Sequence, residues 1–70
     1  MNRYEIILFW SAEDQAYVAE VPELAGCMAH GPTQEAALAS AKRAIKLWIE
    51  TAREFGDPVP ESKGRRLVFA

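Results

Sequence analysis

The amino-acid sequence predicts an α+β fold of order β-β-β-α-β, an antiparallel sheet with one long helix packed on one face. Three observations point there. Short runs rich in aromatic and β-branched residues fill the first thirty positions, with polar, Pro or Gly breaks between them. One stretch from Thr33 to Phe55 repeats its apolar residues at helical spacing. A last apolar run closes the chain. The stripe of the helix needs a surface to cover, and the sheet is the surface available. At 70 residues the chain is read as a single domain spanning 1–70.

Residues 3–10 read as the first strand. Tyr4, Ile6, Leu8 and Trp10 alternate with Arg3, Glu5, Ile7 and Phe9, so one face is wholly apolar and the other becomes apolar at its far end. Part of the second face is therefore expected to be covered as well. Ser11 to Gln15 is polar and suits a hairpin loop. Ala16 to Val21 reads as the second strand, stopped by Pro22, which has no N–H to give to a ladder. Glu23 to Gly26 is a turn. Cys27 to His30 reads as a short third strand, closed by Gly31-Pro32.

Thr33 is the expected N-cap of the helix, and Glu35 suits the positive end of its dipole. Leu38, Ala41, Ile45, Trp48, Ala52 and Phe55 trace one stripe, with Leu47 and Ile49 widening it. Trp48 and Phe55 are expected beneath the helix. Gly56 is the expected left-handed residue after the last turn, and Asp57-Pro58 prevents continuation. Residues 58–64 read as an extended connector, and Arg65 to Ala70 as a final strand.

Composition removes several function classes. No apolar run approaches the roughly 20 residues of a membrane span, and no secretory signal precedes the first strand. A single Cys and a single His leave no internal disulfide and no ordinary zinc site. A cytoplasmic protein without metal or cofactor is expected. His30 as a base and Cys27 as a nucleophile would point to opposite faces of one strand, so both read as structural. The only two Asp, Asp14 and Asp57, lie in loops, and Glu5 with Glu20 is a lone strand pair, short of a carboxylate cluster. The four glycines are scattered rather than gathered in a phosphate loop. A net charge of −2 and an isoelectric point near 5.3 argue against a nucleic-acid footprint. Lys42, Arg43 and Lys46, and again Lys63, Arg65 and Arg66, form small basic patches that read as solvated faces.

What remains is surplus apolar surface. Half of the residues are apolar, and only twelve of those are Ala. A domain of this size buries about 60% of its unfolded surface and is marginal alone. Phe9, Trp10 and Phe69 occupy sheet positions that one helix cannot all cover, so they are the candidate partner or oligomer contacts. Self-association as a dimer or tetramer is expected.

The ordered series Tyr17-Val-Ala-Glu-Val-Pro-Glu-Leu-Ala-Gly-Cys27, His30-Gly-Pro-Thr33, Glu35-Ala-Ala-Leu38 and Ala41-Lys-Arg-Ala-Ile45 resembles the HicB-type antitoxin family. Ala52-Arg-Glu-Phe-Gly56, followed by Pro58 and Pro60, fits the same pattern. The resemblance implies a partial ribonuclease-H-like sheet with one helix and no enzymatic activity. It also implies oligomers and the neutralisation of a small mRNA-cleaving HicA-type toxin. Many members carry a C-terminal DNA-binding domain; this sequence reaches only Ala70, so direct DNA binding and autoregulation are not expected. Two alternatives stay open beside it: an orphan structural or small-ligand module on the same scaffold, and a weak nucleic-acid binder using Lys42, Arg43 and Lys46.

Overall fold

The computed structural model describes residues 4–60. Strands β1 (Ile7–Ser11), β2 (Ala16–Glu20) and β3 (Met28–Gly31) precede one long helix, α1 (Gln34–Glu54). The strands form one antiparallel sheet in the order β1-β2-β3, and α1 packs on a single face of it. The α+β arrangement is the expected one. The proposed closing strand, Arg65 to Ala70, lies outside the described residues, as does Phe69.

Register separates the two faces. Leu8, Ala19 and Ala29 lie abreast across the three strands and face the helix. Phe9, Val18 and His30 lie abreast on the outer face. Val18 is buried at the middle of that face, between Phe9 and His30 across the ladder. Among the described residues of that face Val18 is the buried one, while Phe9, Met28 and His30 are exposed.

The strand ends differ from the sequence reading, and backbone hydrogen bonds explain why. β1 begins at Ile7 rather than at residue 3, because Ile7 pairs with Glu20 and any earlier residue runs towards Pro22. The Glu5 amide donates instead to the Glu23 carboxylate at 2.9 Å. Val21 falls just beyond β2; its amide donates to the Cys27 carbonyl at 3.0 Å. Cys27 is drawn into the same turn, its own amide donating to the Leu24 carbonyl at 3.0 Å, so β3 starts one residue later than expected.

Both helix ends follow the sequence. The Thr33 hydroxyl accepts from the Ala36 amide at 3.0 Å, satisfying one of the four unpaired donors of the first turn. At the other end Gly56 has φ +74, the Gly56 amide donates to the Arg53 carbonyl at 3.2 Å and the Asp57 amide to the Ala52 carbonyl at 2.8 Å. This paired closure satisfies two orphan carbonyls, and the left-handed backbone suits a residue without Cβ.

The core has two adjoining parts. Ala19 and Ala29 from the sheet meet Ala37 and Ala41 from the helix, flanked by Ile6, Leu8 and Tyr17. Beside them Val21, Leu24, Cys27 and Ile45 pack with Tyr4, Ala44, Trp48 and Ile49. The buried stripe of α1 is Ala37, Ala41, Ile45 and Ala52. Leu38 and Trp48 sit at its margin, half-buried. Two side chains depart from expectation: Phe55 is 71% exposed and Leu47 is 64% exposed. Phe55 projects past the last helical residue, where the sheet no longer lies beneath it. Leu47 is one residue, hence about 100° of helix rotation, away from Trp48 and so faces outward.

Candidate interaction surface

The two described candidate contact residues sit side by side on β1 but on opposite faces. Phe9 stands on the outer face and is 42% exposed. Trp10 stands on the helix side, 50% exposed, beyond the reach of α1, which packs over β3 and β2. Its ring meets Tyr17, its cross-strand neighbour, edge to face with centroids 5.1 Å apart. The third candidate, Phe69, is outside the described residues. Among the described strands β1 is an edge, so one side of its backbone is not paired within the sheet. The surface here is an edge strand carrying a large aromatic on each face.

A second apolar surface lies at the opposite end of the sheet. A groove of about 420 Å³ opens between the β3 edge and α1, lined by Gly26, Cys27, Met28, Leu47, Trp48 and Thr51 among others. Met28 on its rim is 49% exposed. The Trp48 indole is fixed by donating to the Ala25 carbonyl at 2.9 Å, which holds the groove wall in place. Sequence reasoning missed this surface because it folded Leu47 and Phe55 into the buried stripe. The signal was present: Leu47, Thr51 and Phe55 repeat every four residues and form a row distinct from Ala37, Ala41, Ile45 and Ala52.

Cys27 is buried, and desolvation pushes its thiol pKa above the ordinary value, the reverse of an activated nucleophile. His30 lies exposed on the outer face, its Nε2 3.9 Å from a carboxylate oxygen of Asp14. The Asp14 carboxylate accepts from the Ser11 hydroxyl at 3.0 Å, which in turn accepts from the Asp14 amide at 3.2 Å, a local clasp of the β1–β2 loop. Glu20 opposes Ile7 rather than Glu5, so the suspected carboxylate pair is not directly opposed across the hairpin. No group of three metal-ligating side chains converges among the described residues. No helix among them is long and apolar enough to cross a membrane.

A family model described as a HicB-like antitoxin of a bacterial toxin-antitoxin system matches residues 4–66. The chain belongs to the HicB-like antitoxin family. A UPF0150 protein of Thermoplasma acidophilum is 32% identical over 66 residues, covering 94% of either chain. A UPF0150 protein of a Synechocystis strain is 39% identical over 57 residues, covering 81% of this chain and 77% of its own. No solved structure gives a significant match. Within a HicB-like antitoxin the features above take a definite sense. The family belongs to toxin–antitoxin systems, and this chain's described surface offers exposed apolar side chains at Phe9, Trp10, Met28, Leu47 and Phe55.

Proposed function

We propose that this chain is a non-enzymatic antitoxin that binds a small HicA-type, mRNA-cleaving toxin and neutralises it sterically. Contact would run through β1, with Phe9 and Trp10 gripping the toxin from the two faces of the strand. Phe69, beyond the described residues, is proposed to join them. One observation carries the reading: large aromatics on both faces of a strand that is an edge among the described strands, exposed by 42% and 50%. An edge strand supplies main-chain hydrogen bonds to an added segment, and flanking aromatics give that segment its anchors. The whole chain acts as one domain in the cytoplasm, and it works as an oligomer.

Co-expression with a small HicA-type toxin tests the proposal. The intact chain restores growth and co-purifies with the toxin. Phe9→Asp with Trp10→Asp keeps the circular dichroism spectrum of the fold and loses both effects. No rescue by the intact chain, or undiminished rescue by the double variant, overturns the assignment.

A further inference from the structure

We propose that the open edge of β3, together with the groove beside α1, docks an extended peptide segment of another protein. The segment adds to the sheet as a further antiparallel strand and seats one large apolar side chain in the groove. This edge lies across the sheet from β1 and is tested without a toxin, so the site stands independently of the antitoxin reading.

Hydrogen-bond register shows what the edge offers. The Val21 amide donates to the Cys27 carbonyl just before β3. Bonded pairs recur at every second residue of an antiparallel ladder, so Ala19 with Ala29 and Tyr17 with Gly31 continue that set. Met28 and His30 fall between, opposite Glu20 and Val18, and their main-chain N–H and C=O groups point away from β2. Among the described residues nothing donates to or accepts from those groups. Alternating donors and acceptors along an edge match another main chain, which carries the same groups at the same spacing; neither a bilayer nor a nucleic acid does.

The groove supplies the slot for a side chain. On the helix side, the side chains of an added strand fall opposite Cys27 and Ala29. Gly26, Cys27 and Met28 form one wall of the concavity of about 420 Å³, and Leu47, Trp48 and Thr51 form the other. Met28 is 49% and Leu47 64% exposed, so apolar surface stands on both rims. The Trp48 N–H is already taken by Ala25, so an apolar occupant strands no donor there.

Charge sets the rest of the preference. Asp57 lines the groove and is exposed. At about 100° per residue Glu54 lies on the same flank of α1 as Leu47 and Thr51; Arg43 and Glu50 lie near its crest, and Glu35, Lys42, Lys46 and Arg53 on the far flank. Arg43 stands a turn before Leu47 and farther still from Asp57, its guanidinium donating to the Ser40 hydroxyl at 3.1 Å. The end of the groove at Asp57 is therefore acidic. A strand antiparallel to β3 runs from Gly31 towards Gly26, so a basic residue placed after the apolar anchor meets that end.

Fluorescence anisotropy of the full chain with a dye-labelled, end-blocked peptide Thr-Val-Thr-Phe-Thr-Lys tests this. Its third residue pairs with Met28 and its Phe lies over Cys27. Micromolar binding is expected. N-methylating the third residue removes the N–H given to the Met28 carbonyl and weakens binding about tenfold or more, whereas N-methylating the Phe, whose N–H faces away from β3, changes affinity by less than about twofold. Replacing the peptide's Phe by Ala weakens binding likewise, as does Leu47→Asp in a chain whose circular dichroism spectrum is unchanged. Asp57→Lys weakens binding of this peptide and strengthens that of the same peptide ending in Glu. No binding up to about 1 mM overturns the proposal, and this is the outcome expected if a second copy or residues beyond Pro60 take the edge. Binding indifferent to both N-methylations overturns it too, because the groove then takes an apolar group without a strand. Binding lost in Phe9→Asp and kept in Leu47→Asp overturns it by placing the peptide on β1. Groove-dependent peptide binding by a chain that neutralises no toxin upholds this site and counts against the antitoxin assignment.

Discussion

Among the described glycines Gly31 is the one at which a Cβ would clash, for a reason of space rather than backbone angle. It ends β3 where the helix returns over the sheet, and a Cβ there would press on the Ala37 amide and come within 2.7 Å of the Ala36 backbone carbon. Backbone cannot rotate away as a side chain can. Gly31→Ala should therefore cost about 3 kcal/mol, the upper end for overpacking, read as a lowered denaturant midpoint. Gln15 presents the opposite case. It closes the β1–β2 loop with φ 53, a left-handed conformation that costs a residue with a Cβ about 1–2 kcal/mol. Gln15→Gly relieves that backbone but removes the donation of the Gln15 amide to the Ala12 carbonyl at 2.6 Å and adds unfolded-chain entropy, so stability should change by less than about 0.5 kcal/mol; a larger shift of the denaturant midpoint would contradict it. Cys27 adds a pH dependence. Its burial raises the folded thiol pKa, so above the unfolded value of about 8.5 the folded state holds the proton that the unfolded state releases. The contribution is intact below that pH and is lost as pH rises through the folded value. Thermal stability should fall at alkaline pH, and Cys27→Ala should flatten that decline.

At the scale of elements, α1 was the most legible part of the chain. Thr33, Gly56 and the Asp57-Pro58 stop each act through neighbouring backbone, so local sequence suffices to mark both ends. Strand ends were less legible because they depend on partners distant in sequence. Nothing near Glu5 announces that its amide is taken by Glu23, and nothing near Cys27 announces that it closes a turn with Val21 and Leu24. The buried stripe was misjudged for a related reason. The helical stripe suggested that Phe55 and Leu47 face the sheet, yet Ala19, Ala29, Ala37 and Ala41 form the seam and both side chains are exposed. Small residues let helix and sheet backbones approach closely, and large side chains are then displaced to the margins. Ala41→Leu should consequently destabilise by about 1–3 kcal/mol although it adds apolar surface. Ile45→Ala, in the adjoining part of the core, should cost about 2–5 kcal/mol by leaving a cavity. Chemical denaturation of the two variants checks both, and a stabilised Ala41→Leu would refute the close seam.

For the whole molecule, that seam decides where the large apolar side chains go. The largest fully buried side chains are Leu24, Ile45 and Val21, and no described aromatic is among them. Phe9 and Trp10 remain on β1, and Phe55 with Leu47 remains beside the groove, at separate ends of the sheet. The candidate site was therefore half legible. Periodicity assigned Phe9 and Trp10 to opposite faces, whereas the groove emerges only once the alanine seam has turned Leu47 outward. If a second copy binds the folded state and not the unfolded one, mass action makes unfolding depend on concentration. The midpoint of thermal unfolding should rise as protein concentration rises through the dissociation constant. A midpoint indifferent to concentration would mean that the alanine-seamed subunit is stable by itself, and that its exposed aromatics serve a partner of another kind.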